Sequence, residues 1–533
     1  MKKFTVKTLA MALVFVCAAI LSSCSCSRDK KDLLSFVPAD TAGVAVIDLT
    51  NLWDQLEIKA DGDDLSYCSE LKDLLKLSNV KNKDLDKVAE LLKMFEGTAK
   101  TIVIFEYEDA VWGTFYVKDG DDFIKTLEDE GKADFDKEDG YKVWEHMAVK
   151  GDQVWFCVNP AKMDDDIDPE AIEKLADLDK DKRFDKKYEK IAEYMLGEDV
   201  CSAYCINIDK VLDYVNNSYD RQMCNMALSM VFDDAKFLVG QSKLNDKGMT
   251  GEVRVLNEKE NPAKFLLPMA KIEAAGLSKL NNNAPLIAAV AVNPELVQKI
   301  KGVIEKMDGP LSQGDQEMFS ILGAISGTSG LSFATPTDGT LVLSFNNPDT
   351  PSQLGSLLAE AGTDVEFSTA GTQLIGRLAG SPAAGQGQAP SQLVGQYAGI
   401  YIDAAKEGGK LISGYDLSKL GKMWLTLGPD GDGVKLCSAW EIKNPMRTLL
   451  KEILAIAQGF MSNSITSPAL EEMNRGFFVA RHEASMDSAY MDSTYMYDDY
   501  YYDEYATPAP EAAPAVEAAP AADDYAMPAE AAK

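Results

Sequence analysis

The sequence predicts an α+β fold in which antiparallel sheets carry packed helices. Short apolar runs of strand-forming residues recur along the chain, each followed by Asn or Asp and then by a helix-like segment. Paired apolar runs with Gly between them predict hairpins, which join antiparallel strands. The order strand, helix, hairpin, helix recurs four times, so we expect repeated units arranged in two similar halves.

The N-terminus has the features of a bacterial lipoprotein signal. Three lysines precede or flank the start of an apolar run from Leu9 to Leu21, thirteen residues long. A membrane-spanning helix needs roughly 20 residues, so this run predicts a removable signal peptide. Its end, Leu21-Ser22-Ser23-Cys24, resembles the lipobox, whose cysteine takes a diacylglycerol. We expect a lipoprotein anchored at Cys24 by two or more acyl chains, palmitate among them.

Charge is distributed unevenly along the 533 residues, whose formal net charge is −32. Charged residues make up 56 of 130 positions from Asp61 to Lys190, but 15 of 125 from Gly276 to Ile400. The acid excess excludes nucleic acid as the main partner, because phosphates need clustered Lys and Arg. The predicted segments are a signal peptide (1–23), an anchor linker (24–32), a first half (33–275), a second half (276–459), a connecting segment (460–485) and a disordered tail (486–533).

Each predicted unit begins with an apolar strand that ends in Asn or Asp. These residues suit a helix N-cap, where the side chain accepts a hydrogen bond from a free amide. Asn293-Pro294 gives the clearest start, because Pro suits the first helical position. The four strands are predicted at Gly43–Asp48, Ala203–Asn207, Ile287–Asn293 and Ala398–Asp403, the last leading to a helix near Lys406.

A hairpin follows each of these strands and leads to a second helix start. The first and third units carry one more hairpin, so the units alternate between long and short, which favours duplication of an ancestral pair. The four hairpins are predicted within Ile102–Val117, Lys236–Leu256, Leu331–Phe345 and Met423–Trp440, and the extra two within Tyr141–Val158 and Val365–Leu378. The second helix starts are predicted at Asp119, Asn261-Pro262, Asn347-Pro348 and Asn444-Pro445.

The segment before the first strand carries a family resemblance. Leu34-Ser35-Phe36-Val37-Pro38-Ala39-Asp40, preceded by the lipobox, resembles the start of a large uncharacterised lipoprotein family of Bacteroidota. The resemblance implies a cell-envelope protein, lipid-anchored in the outer membrane, and it implies no catalytic residues because that family has no assigned activity. The side of the membrane stays open, since the residues after Cys24 lack the acidic cluster of a surface-export signal.

The tail from Met486 to Lys533 contains eleven acids, one base and eight tyrosines. Such a composition buries too little apolar surface to order itself. Asp487-Ser488-Ala489 and Asp492-Ser493-Thr494 resemble the acceptor motif for O-glycosylation of exported proteins in Bacteroidota. Ser488 and Ser493 are therefore the candidate glycosylation sites.

The cysteines predict no disulfide framework and no metal site. Cys26 is a weaker anchor candidate than Cys24, because a large aliphatic residue is missing before it. Cys201 and Cys205 share a strand face about 13 Å apart, too far for a disulfide with each other. We expect the thiols to be mostly small core residues, with a disulfide elsewhere left open.

The histidines and the serine-lysine spacing do not predict catalysis. His146 is expected on a strand face with Trp144, and His482 lies just before the tail. Ser69-x-x-Lys72 has the spacing of a nucleophile motif without its partner motifs. The sequence therefore offers no nucleophile with an adjacent base.

The acids and aromatics also favour structural roles. Asp177-x-Asp179-x-Asp181 resembles the opening of a calcium loop, but Lys182 and Tyr188 stand where that loop needs Gly and Glu. Strand aromatics such as Trp112, Phe115 and Tyr116 can stack a sugar, but they usually pack a core, which is our expectation. We expect no metal and no cofactor.

The combined pattern favours a non-catalytic binding or structural protein. The expected partners are the membrane, through the N-terminal lipid, and an envelope protein or glycan that contacts the low-charge segment from Gly276 to Ile400. An envelope hydrolase of the carboxylate-based glycosidase type is the alternative. It needs two acids about 5–9 Å apart in a cleft, and no spacing in the sequence pairs two acids in that way.

Overall fold

Helices and a large antiparallel sheet make up the described part of the chain, which confirms the α+β prediction. The computed structural model describes residues 30–61, 64–77, 94, 100–129, 133–158, 166–215, 217–335, 338–360, 365–378, 387–406 and 417–461. The chain divides into two units, Met1–Thr466 and Ser467–Lys533, and the described residues all lie in the first.

Twenty strands are described, of which eighteen form one sheet while β2 and β3 form a separate small hairpin. The strands are β1 Gly43–Asp48, β2 Lys59–Asp61, β3 Asp64–Ser66, β4 Thr101–Tyr107, β5 Ala110–Tyr116, β6 Asp136–Glu138, β7 Tyr141–Trp144, β8 Met147–Lys150, β9 Gln153–Val158, β10 Val200–Asn207, β11 Phe237–Asn245, β12 Gly248–Leu256, β13 Leu286–Val292, β14 Gly327–Thr335, β15 Asp338–Ser344, β16 Val365–Ala370, β17 Gln373–Leu378, β18 Ala398–Asp403, β19 Lys422–Asp430 and β20 Gly433–Glu441.

Fourteen α-helices are described between and after these strands. They are α1 Lys30–Leu34, α2 Thr50–Leu56, α3 Ser69–Leu77, α4 Gly120–Asp129, α5 Pro169–Ala176, α6 Phe184–Lys187, α7 Glu189–Met195, α8 Ile208–Asp213, α9 Ser218–Val231, α10 Ala274–Leu277, α11 Pro294–Asp308, α12 Gln313–Ala324, α13 Asp349–Glu360 and α14 Pro445–Met461. Among the described residues, no helix combines the length and the apolar composition needed to cross a membrane.

Polar side chains begin many of the helices where the sequence predicts them. The Asn293 side chain accepts a hydrogen bond from the Glu295 amide at 3.0 Å, and Pro294 takes the first helical position. Each such bond satisfies one of the amides that a helix N-terminus leaves free. Asp48, Asp119, Asp168, Asn207 and Asn347 accept equivalent bonds, and α14 begins directly after Asn444.

The four predicted hairpins are present as β4–β5, β11–β12, β14–β15 and β19–β20, and the additional hairpin of the third unit is present as β16–β17. In the first unit, the sequence predicts that Tyr141–Met147 pairs with Gln153–Val158, but a turn divides the first of these strands. β9 pairs instead with β8, and Tyr141–Trp144 forms the separate strand β7. Gly431 in the β19–β20 turn has a φ of 61°, a conformation that glycine adopts without steric cost.

Pairing of β12 with β20 joins the two halves of the chain into one sheet. The spatial order is β6-β7-β8-β9-β5-β4-β1-β10-β11-β12-β20-β19-β18-β13-β14-β15-β17-β16. The two sides of the β12–β20 pair have the same arrangement of strands when they are compared position by position outward. One side runs β11, β10, β1, β4, β5, β9, β8, and the other runs β19, β18, β13, β14, β15, β17, β16. β1 and β13 thus occupy corresponding places, while duplication as the origin of this order stays a prediction.

The register defines two faces of the sheet. The closed face carries the cross-strand row Val46, Ala203, Gln241, Glu252, Cys437, Thr426, Gly399 and Ala289, and the open face carries the row Ser242, Gly251, Ser438, Leu425, Ile400, Ala288, Leu331 and Leu341.

Helices cover both faces of the first half. On the closed face, buried residues of α5 to α7 such as Ile172, Phe184 and Ile191 pack in one core with Val46 and Phe105. On the open face, α2 and α14 pack over β1 and β4, and α4 packs over β5 and β9. In the second half, the closed face is covered by residues around α10 and by Leu393, which pack with Ile287 and Tyr401.

Two local predictions are wrong. No helix opens at Asn261-Pro262, because the Asn257 side chain accepts bonds from two following amides and Ala263 donates its amide to Val255 on β12, which folds the chain back. His146 does not lie on a strand with Trp144. It lies in a two-residue turn that joins β7 to β8, where Glu145 has a φ of 46°.

Candidate binding surface

A half-exposed apolar patch covers the open face of the second half. Leu341, Leu331, Ile400 and Leu425 are 38%, 42%, 42% and 43% exposed and follow one another along a single cross-strand row that also contains Ala288. The adjoining row adds Val290 at 40% and Leu436 at 39%. Contiguous exposed aliphatic surface of this kind marks interaction sites on soluble domains.

Ten neighbouring strands of the described sheet present no charged side chain on their open face. In spatial order, these strands are β11, β12, β20, β19, β18, β13, β14, β15, β17 and β16. On the closed face, the same strands carry charged residues that include Glu252, Arg254 and Lys435. Since the whole chain has a net charge of −32, the open face is a chemically distinct surface.

The helices show why the open face is covered in one half and exposed in the other. Trp53 and Leu56 of α2 are 1% and 4% exposed, because they pack with strand residues and with α14. α11 follows β13 as α2 follows β1, but it leaves Ile300 39% exposed. The next helix, α12, leaves Met318, Ile321 and Leu322 exposed at helical spacing.

A groove of about 430 Å³ lies in the open face where the two halves meet. It is lined by the small residues Ser242, Gly251 and Ser438 and by the large residues Met249, Met423 and Trp440. A Cβ atom on Gly251 would lie 2.6 Å from Ser438 Oγ, so these small residues lie close together. This size lies within the range of ligand pockets in proteins.

A polar cluster lies on the closed face at the same junction. Glu252 Oε1 accepts hydrogen bonds from Arg254 Nε at 2.6 Å and from Tyr194 Oη at 3.2 Å, and Glu252 Oε2 lies 3.5 Å from Lys435 Nζ. Asp430 Oδ2 lies 3.7 Å from Arg254 Nη1. Because Glu252 and Arg254 are on β12 while Asp430 and Lys435 are on β19 and β20, this network links the two halves.

The electrostatics of this cluster favour a fixed ion pair. Burial alone raises the pKa of Glu252, but Arg254, Lys435 and Tyr194 outweigh burial and hold that pKa below its usual value. Burial and the Glu252 charge raise the pKa of Tyr194. A glycosidase acid needs a raised pKa to remain protonated, so Glu252 has the opposite property.

The other candidate catalytic and metal residues are held in ordinary structural contacts. The His146 carbonyl accepts the Cys157 amide at 2.9 Å, and Ser69 donates its hydroxyl to Glu70 at 3.1 Å. Lys182 Nζ lies 2.8 Å from Asp179 Oδ2 in the calcium-like segment. Within the described ranges, no group of three or more His, Cys, Asp or Glu side chains has the spacing of a metal site.

Two of the three strand aromatics and two of the six described thiols are buried. Tyr116 is partly buried, as are Cys157, Cys201 and Cys437, whereas Cys68 and Cys205 lie in the interior. Trp112 and Phe115 are 5% and 3% exposed and belong to cores on opposite faces of β5. The described cysteines are free, and burial raises the pKa of Cys157 to about 11 and that of Cys205 to about 12. Among them, Cys224 on α9 is exposed.

Several predicted residues lie outside the described part of the chain. They are Cys24 and Cys26 at the N-terminus, His482, the candidate glycosylation sites Ser488 and Ser493, and the segment after Lys406.

The sequence pointed to the low-charge segment but not to the open face as a whole. Strands such as Leu286–Val292 are apolar at every position, a pattern that predicts burial on both faces. The low density of charged residues from Gly276 to Ile400, 15 of 125 positions, is the signal that the sequence offers. Leu425, Leu436 and all the groove residues except Ile400 lie outside that segment and join it through strand pairing.

Comparison with known proteins gives no family for this chain. No protein-family model matches it, and no curated protein matches it. Among solved structures, crystal form III of TP0453 is similar with a TM-score of 0.26 and 9% identity, over 43% of this chain and 80% of that one. Crystal form I of TP0453 gives a TM-score of 0.24 and 9% identity, over 43% and 79% of the two chains.

Proposed function

We propose that this protein is a lipid-anchored component of the cell envelope, attached to the outer membrane through Cys24, with a non-catalytic binding role. The observation that carries the binding role is the open face of the second half, which is aliphatic, half-exposed and free of charge in a strongly acidic chain. An exposed surface of this composition gains free energy by covering apolar area, at roughly 25 cal/mol per Å².

The chemistry of the open face favours an apolar partner over a glycan. Sugar hydroxyls need hydrogen-bond donors and acceptors, whereas Leu331, Leu341 and Leu425 offer hydrocarbon. The proposed partner is therefore an apolar surface or molecule of the envelope. The lipid attached to Cys24 keeps the protein beside that partner.

Photocrosslinking in the native host tests the binding role. Benzoylphenylalanine placed at Leu331 should give a crosslinked product, whereas the same residue at Val111, which is 42% exposed on β5, should not. Equal crosslinking at the two positions contradicts the proposal. In parallel, Cys24→Ala should release the protein from the membrane fraction, and unchanged fractionation contradicts the anchor.

The hydrolase alternative has its own test. The purified chain is incubated with envelope polysaccharides and peptides, and product release is measured. Turnover that one Asp or Glu substitution abolishes would replace the binding role by catalysis.

A further inference from the structure

The groove in the open face has a composition that selects its ligand. Its residues come from five neighbouring strands, β11, β12, β20, β19 and β18, and none of them carries a charge. Five strands are separated by four steps of about 4.8 Å, so the groove crosses about 19 Å of sheet. A groove of this length fits an extended hydrocarbon chain.

Beside the hydroxyls of Ser242 and Ser438, the large side chains along the groove present hydrocarbon and sulfur. Trp440 Nε1 donates a hydrogen bond to the Leu420 carbonyl at 2.6 Å, so the polar atom of that ring is already paired. Met249 and Met423 have unbranched, flexible side chains that adapt to the shape of a ligand. Leu425 and Ile400 continue the apolar surface at one end.

We propose that this groove binds one acyl chain of a zwitterionic membrane phospholipid. The assignment rests on the proposed function, because it names the ligand class of the open face. Charge complementarity selects the headgroup. None of the described residues that line the groove is a cation that could pair with a carboxylate or phosphate monoester, and the net charge of −32 repels anionic lipids. An uncharged groove in an acidic protein therefore matches a neutral lipid best.

Lipid capture from vesicles tests the assignment. The mature chain from residue 24, carrying Cys24→Ala and therefore lacking both the signal peptide and the covalent acyl groups, is incubated with phosphatidylcholine vesicles and separated from them by flotation. Mass spectrometry of the organic extract then measures bound phosphatidylcholine, and about one molecule per chain is expected. Absence of bound phosphatidylcholine, or a preference for phosphatidylglycerol vesicles at equal concentration, overturns the assignment.

Two pairs of variants locate the site. Leu425→Glu places a carboxylate in the groove and should weaken binding at least about tenfold, because a charge beside hydrocarbon loses hydration. Val111→Glu has a matched exposure, 42% against 43%, and should bind like the wild type. Ser438→Phe should fill the groove and reduce capture, whereas Ser368→Phe on the exposed surface of β16 should not.

The outcomes separate this assignment from the proposed function. Circular dichroism and a melting curve first establish that each variant is folded. If Leu425→Glu and Val111→Glu capture equal amounts of phosphatidylcholine, the groove is not the lipid site. If Leu331 crosslinks in the envelope but the chain captures no phosphatidylcholine, the lipid assignment fails while the proposed function stands.

Discussion

The ion-pair network between β12 and β20 leads to a quantitative prediction about Glu252→Gln. The substitution keeps the shape of the side chain and removes its charge. Glu252 loses charge-assisted bonds to Arg254 and Lys435, and hydrogen bonds to charged groups contribute about 1.5–3 kcal/mol each. Arg254 and Lys435 are 30% and 31% exposed, and Asp430 remains beside Arg254, so water and Asp430 offset part of the loss. The net expectation is a loss of about 2 kcal/mol.

Differential scanning calorimetry measures this loss. With about 2.1 cal/mol/K of unfolding entropy per residue over the roughly 370 residues that the structure describes, 2 kcal/mol lowers Tm by about 2.5 °C. Asp121→Asn is the control, because Asp121 pairs with Lys142 at 2.9 Å but is 86% exposed. Its Tm should change by less than about 0.6 °C, since exposed ion pairs contribute little.

The pH dependence gives the sign of the effect. The pKa of Glu252 in the folded protein lies below its ordinary value of 4.5. Its stabilising contribution is therefore complete above that value and is lost as the pH falls through the folded pKa. The Tm difference between wild type and Glu252→Gln should have its full size at pH 7 and should disappear at acidic pH. A difference that is absent at pH 7, or that widens toward acid, refutes the reasoning.

Three further substitutions or reactions test the packing. Burial raises the pKa of Glu452 above its ordinary value of 4.5, so its contribution to stability is complete below 4.5 and is lost as the pH rises through the folded pKa. Glu452→Gln should therefore raise Tm at pH 7 and leave it unchanged in acid. A lower Tm at pH 7 contradicts this. Trp53→Ala should lower the free energy of unfolding by about 3–5 kcal/mol, because Trp53 is 1% exposed and its removal leaves a cavity. Chemical denaturation measures this loss, and a loss under about 1 kcal/mol contradicts the packing of α2 against α14. Ellman's reagent should modify Cys224 at once and Cys205, whose pKa burial raises to about 12, only after unfolding; early reaction of Cys205 contradicts its burial.

The local elements could be predicted because their signals are local. Asn293-Pro294 caps α11 through atoms two residues apart, and the β19–β20 turn contains Gly431 where a positive φ is needed. The same reasoning failed at Asn261-Pro262, where Asn257 accepts the competing backbone bonds. It also failed at His146, because Glu145 adopts a positive φ without glycine.

The candidate site could be predicted only in part, because it depends on pairing between distant strands. Gly251 and Ser438 face each other across β12 and β20, and the sequence between them gives no signal for that pairing. The apolar strand Leu286–Val292 predicts burial on both faces, whereas Val290 on the open face is 40% exposed. Whether a face is covered depends on helices elsewhere in the chain.

Protection of the open face inside the native envelope tests the central claim most directly. Cysteine replaces Leu331, Leu425 or Val111, one at a time, in a chain that carries Cys26→Ser and Cys224→Ser, and maleimide labelling is compared between purified protein and intact envelopes. The three positions have similar exposures, 42%, 43% and 42%, so they should label at similar rates in the purified protein. In the envelope, positions 331 and 425 should label at least about tenfold more slowly than position 111, because a bound partner excludes the reagent. Equal labelling of all three positions in the envelope contradicts the account.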